Sequence, residues 1–201
     1  VNAIDDRVFL ETMVANDLAS LTDAVGIHPG GFANPPDAEC CEQPAGVETH
    51  FDDASFYFLE NLNTYRGILT DGGADAMPLW VTRFGWGTSE DTDPPGEINI
   101  YVSYTSLGQQ AIYAPRAFEI GEELGYVGVM FLDNLNGCVI NSSRAEVCYT
   151  SLIGPDGNPR PAFDAVQSIS GDDNTDMMDT TENTETEDME AEAEMTPEAE
   201  S

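Results

Sequence analysis

The chain has 201 residues, enough for one sizeable core, and its 38 acidic residues face only six basic ones, for a formal net charge of −32. All six are Arg, and a chain of this sign repels phosphate backbones and anionic bilayers, which excludes nucleic-acid and membrane-surface partners. No run of about 18 apolar residues occurs, so neither membrane insertion nor a signal peptide is expected, and Val1 at the start reads as a processed or truncated chain.

Asp5 and Asp6 supply an N-cap and an acidic first turn. Phe9, Leu10, Met13, Val14 and Leu18 repeat at helical spacing behind them, which predicts a helix ending near Ser20. The short apolar run Ala24–Ile27 stops at His28-Pro29-Gly30-Gly31, the pattern of a strand meeting a loop. That loop is long and holds Asn34-Pro35-Pro36 and the adjacent Cys40 and Cys41. A second helix follows from Phe58, Leu59, Leu62, Tyr65 and Leu69, stopped by Gly72-Gly73. Leu79–Phe84 reads as a strand, followed by an acidic, Gly-rich loop with Pro94-Pro95. Leu107, Ala111, Ala114 and Phe118 predict a third helix, which Pro115 is expected to break or kink. Val127–Leu132 is a third strand, and Pro159-Arg160-Pro161 opens a last helix with Phe163 and Val166 inward.

Strands apolar on both faces, alternating with helices, are βα units, which implies parallel strands joined by right-handed crossovers. Three strands cannot close a barrel, and the pattern by itself also fits a small open doubly wound sheet. After Ser170 the composition changes. Residues 171–201 hold 13 of the acidic residues, no basic and no aromatic ones, and read as a disordered acidic tail to a domain spanning 1–170.

No cysteine pair has the C-x2-C spacing of a zinc site, and His28 and His50 stand far apart, so no metal and no cofactor is expected. Disulfides fit better than four idle thiols and favour an oxidising, extracellular or cell-surface setting. Cys138 and Cys148 are close enough for easy closure; Cys40 and Cys41 stay open as a vicinal pair or as partners of something upstream. Asn141-Ser142-Ser143 is a glycosylation sequon in a eukaryotic secretory host.

Residues that packing does not require collect at the C-terminal ends of the three strands, the edge on which parallel α/β folds build sites. Pro78-Leu79-Trp80-Val81-Thr82-Arg83-Phe84-Gly85-Trp86-Gly87 resembles the seventh-strand motif of the clan A, cellulase-like glycoside hydrolases, roughly W-[VI]-T-E-F-G-W. Asp23–Pro29 with Gly31–Pro36 is similar to their sixth-strand segment, D-x-[IV]-x-[IV]-H-P-Y-G-F-x-N-P-P. Val129–Asn136 resembles M-F-L-W-N-L-N of the eighth strand, and Pro159–Phe163 the closing R-P-A-[FY].

The resemblance implies strands six to eight, the C-terminal half of a (β/α)8 TIM barrel, and hydrolysis of O-glycosidic bonds in β-linked glycans by a retaining two-carboxylate mechanism. It also implies an oligo- or polysaccharide partner, possible pairing with an upstream half-barrel, and sugar contacts at His28, Trp86, Asp133, Asn134 and Asn136. The departures fall on the chemistry. Arg83 stands where the family has its Glu nucleophile, and a guanidinium is permanently protonated and not nucleophilic. Gly30 replaces a Tyr, Asp133 replaces the Trp that floors the sugar subsite, and the strand bearing the acid/base Glu is not among these residues. Glu90 and Asp91 are the nearest carboxylates in sequence for a relocated site. The chain therefore reads as glycoside-hydrolase-like but inactive, with a non-catalytic carbohydrate-binding or scaffold protein as the alternative.

Overall fold

The computed structural model describes residues 4–141 and 145–178, with 170–178 as backbone only. Most of the acidic segment and the sequon residues Ser142 and Ser143 lie outside the described residues. Helix α1 (Asp6–Ala15) is capped by the Asp5 carboxylate, which accepts from the Arg7 and Val8 amides. It ends earlier than its periodicity predicts because Asp17 turns left-handed at φ 66°, and a 3-10 turn, Leu18–Ser20, folds Leu18 back into the core. Strand β1 (Val25–Ile27) leads into the long loop 28–57, then α2 (Phe58–Asp71), β2 (Leu79–Phe84), α3 (Leu107–Leu124) and β3 (Val127–Leu132).

Strands β1, β2 and β3 pair in parallel in that order, with β2 in the middle. Leu79, Val81 and Phe84 point from β2 into a core shared with Leu10 of α1, Phe58, Leu62 and Leu69 of α2, and Ala117 and Ile120 of α3. Among the described residues, nothing covers the opposite face of the sheet. Trp80 is 43 % exposed and Phe131 53 %, so only one face is a packed interior.

Helix α3 runs through Pro115 without a break, against the expectation from its sequence. Proline removes one backbone donor. Here the helix is held by a capping box between Ser106 and Gln109, a left-handed Gly125 at its end, and packing on β3 and the last helix. After β3 come two short helices, α4 (Gly137–Ile140) and α5 (Glu146–Tyr149), and then α6 (Pro161–Met178), which packs along α3. A 3-10 segment, Glu97–Tyr104, occupies the β2–α3 loop that the sequence leaves irregular. No helix among the described residues is long and apolar enough to cross a membrane.

Candidate functional site

The C-terminal ends of all three strands open on one cleft of about 190 Å³. His28 enters it from the end of β1, Arg83 from β2 and Asp133 from β3, joined by Phe32, Tyr101, Glu146 and Thr150 from the loops. Parallel strands end at the same edge of the sheet, so His28, Arg83 and Asp133 meet there although they are far apart in sequence.

Arg83 lies at the centre. Its Nε donates to Asp133 Oδ2 at 2.8 Å, and its Nη2 donates to Glu146 Oε1 at 3.0 Å. Burial opposes the charge, but the Asp133 carboxylate and then Glu146 more than offset it and hold the guanidinium above its ordinary pKa. Thr150 Oγ1 donates to the same Asp133 oxygen at 3.4 Å. Both carboxylates that face the cleft are therefore engaged by Arg83, and neither stands free as a nucleophile. The Tyr101 phenol is pushed up to about 12, chiefly by burial with Glu146 adding to it, so it enters the cleft as a neutral hydroxyl.

Three of the residues expected to contact sugar are placed elsewhere. Trp86 is only 1 % exposed: its indole packs between Phe58 and Tyr113 and lies so close over Gly31 that a Cβ there would meet the ring at 2.5 Å. Its Nε1 donates to the Asn34 carbonyl at 2.8 Å, so it fixes the loop after β1 to the loop after β2 and presents no face to a ligand. The Asn134 amide donates to the Val147 carbonyl and to Thr150 Oγ1, and its oxygen accepts from the Gly137 amide, which commits it to holding the last loop. Asn136 is exposed at the cap of α4 and does not line the cleft.

Glu90 and Asp91 are structural as well. Glu90 accepts from the Leu107 amide at the start of α3. Asp91 receives two bonds from Arg160, whose side chain is 2 % exposed and whose Nη1 also donates to the carbonyls of Cys148, Tyr149 and Ser151. Cys138 is bonded to Cys148 beside this clamp, and Cys40 to Cys41. Among the described residues no group of His, Cys, Asp and Glu is arranged to hold a metal.

Tyr101, Glu146, Thr150 and Phe32 are cleft residues that reading the sequence did not single out. Glu146 lies 63 positions from Arg83, and only the fold joins them. Tyr101 had one available signal, its place in the apolar run Ile98–Tyr104, whose alternation reads as a strand although the segment folds as 3-10 turns.

No family model matches the chain, and no curated protein matches it in sequence. Among solved structures it is similar to a family 39 glycoside hydrolase from the gut symbiont Bacteroides cellulosilyticus, with 16% identity and a TM-score of 0.50. The alignment covers 77% of this chain and 28% of that one, so the chain spans little more than a quarter of that enzyme's length. At this identity the likeness is one of fold: a mixed α/β unit with a small parallel sheet, compatible with part of a TIM barrel.

Proposed function

We propose that this chain forms strands six to eight of a glycoside-hydrolase-like barrel whose cleft binds an oligosaccharide and does not hydrolyse it. The observation that carries the reading is the pairing of Arg83 with both Asp133 and Glu146 at the strand ends. A retaining enzyme needs one free carboxylate nucleophile and a second carboxyl group about 5–5.5 Å away to protonate the leaving oxygen. Here the nucleophile position is a cation, and the neighbouring carboxylates are spent on neutralising it. The bonded cysteine pairs support an extracellular or cell-surface location.

The test compares the native chain with Arg83→Glu on aryl β-glycosides and on natural β-linked oligosaccharides, alongside calorimetric binding of the same oligosaccharides. Binding without turnover is expected from the native chain. Arg83→Glu is expected to stay inactive on natural substrates and to lose about 1 kcal/mol of stability, because it places a third carboxylate beside Asp133 and Glu146. Turnover by the native chain that disappears in Asp133→Asn or Glu146→Gln would show a working relocated site and overturn the reading.

A further inference from the structure

The cleft contains an aromatic wall built from the loops. Phe32 lies flat on His50, with ring centroids 4.6 Å apart and planes 16° apart, and meets Tyr101 edge-on at 5.0 Å. Phe56 closes the cluster against both Phe32 and His50. Phe32 and Tyr101 both line the cleft and are both partly exposed.

The position of Phe32 depends on the residue at 30. A Cβ on Gly30 would lie 2.9 Å from Phe32 Cε2, so the ring sits where a side chain at 30 would begin. Phe32 itself takes φ 50°, a conformation a bulky residue adopts only when its surroundings demand it. The loop thus aims an aromatic ring into the cleft while position 133, at the end of β3, carries a carboxylate. Polar groups face the wall. Arg83 spends Nε and Nη2 on carboxylates, and Nη1 makes no hydrogen bond among the described residues, while Tyr101 has a neutral hydroxyl.

We propose that Tyr101, backed by Phe32, is the stacking platform of this cleft and selects an uncharged sugar ring, whose hydroxyls meet Arg83 Nη1 and the outer oxygens of Asp133 and Glu146. This rests on the reading that the cleft takes a glycan. The stacking part follows from ring chemistry: the apolar C–H face of a pyranose packs on an aromatic face while its equatorial hydroxyls point sideways to polar groups. The selection against charge follows from electrostatics. Two carboxylates surround one guanidinium, and the chain as a whole carries −32, so a uronate or sulfated ring enters against repulsion.

The experiment is calorimetric titration of the full chain with cellohexaose, xylohexaose and, as the anionic probe, hexagalacturonate. At least one neutral probe is expected to bind and hexagalacturonate is not. Tyr101→Ala and Tyr101→Leu are each expected to weaken the neutral ligand at least about tenfold, whereas Tyr101→Trp stays within about threefold, with unchanged circular dichroism in all three. Tyr101→Leu keeps apolar bulk without a ring face, so its loss separates stacking from packing. Native affinity in both Tyr101→Ala and Tyr101→Leu, with binding lost in Asp133→Ala, would leave the glycan reading standing and overturn the platform. Tighter binding of hexagalacturonate than of the neutral probes would overturn the charge selection. No binding of any probe by the native chain would overturn the glycan reading, and this inference with it.

Discussion

At the scale of single residues, the cleft is governed by side chains that neutralise one another. A neutral side chain at 133 would leave Arg83 with Glu146 alone, and a carboxylate at 83 would face Asp133 without a counter-ion; Arg83 and Asp133 fit together because they form a 2.8 Å ion pair. His50 shows the same dependence on neighbours. Burial against Phe32 and Phe56 lowers its pKa, with Asp52 opposing, so the folded chain binds that proton less tightly than the unfolded chain does. The sign follows: His50 costs no stability well above its ordinary pKa of 6.5, and destabilises the fold progressively as pH falls below that value. His50→Asn, which tolerates the φ of 60° found there, is expected to lose less stability between pH 7.5 and 5.5 than the native chain. Equal falls in the urea midpoints of the two proteins would assign the acid sensitivity to other groups.

At the scale of elements, the loops are held by a few anchors. Asn34 donates to the carbonyls of His50 and Phe56, and Tyr57 donates to those of Glu42 and Phe51, so the loop 28–57 is tied at both ends despite its length. Arg116 joins α3 to the same loop through Asp37. The last loop depends on Arg160 and on the Cys138–Cys148 bond. Asp91→Ala would strand a guanidinium that has almost no solvent access, and the expected loss is about 3 kcal/mol by urea denaturation, with Asp91→Asn intermediate. A loss below about 1 kcal/mol would mean that the three carbonyls suffice to hold Arg160. Removing the disulfide as Cys138→Ala with Cys148→Ala is expected to cost about 3 kcal/mol, the closure entropy of so short a loop, measured the same way. That loop carries Glu146, so the double variant is also expected to broaden its resonances in NMR spectra.

At the scale of the whole molecule, the sheet has two open edges and one open face among the described residues. An apolar groove lined by Phe9, Met13, Val25 and Ile27 runs along β1, and another lined by Phe118, Val127, Met130 and Val166 runs along β3. Parallel sheets are ordinarily covered on both faces, because unpaired edge groups and apolar faces are costly in water. Amide exchange is therefore expected to be slowest in β2, which pairs on both sides, and faster in β1 and β3. Uniform protection across the three strands would show that something covers the edges in solution. The net charge adds a second measurable property: added NaCl is expected to raise the melting temperature by screening self-repulsion.

The order of helices and strands was legible in the chain, since periodicity and stop signals are local and short-range physics decides them. Leu79–Phe84 and Val127–Leu132 are strands in the structure as the sequence predicts, and the C-terminal strand edge is where the cleft lies. Arg83, singled out in the sequence at the end of the second strand, lines that cleft. What only the tertiary structure decided is partnership. Nothing local tells Trp86 to turn inward onto Gly31, or brings Glu146 to Arg83 and Tyr101 to Phe32. Nor does local propensity explain why Pro115 leaves α3 unbroken, since packing on β3 and α6 outweighs one lost hydrogen bond. The physical reason is common to all of these: such contacts join positions tens of residues apart, and their energies exist only once parallel strands have set the loops side by side.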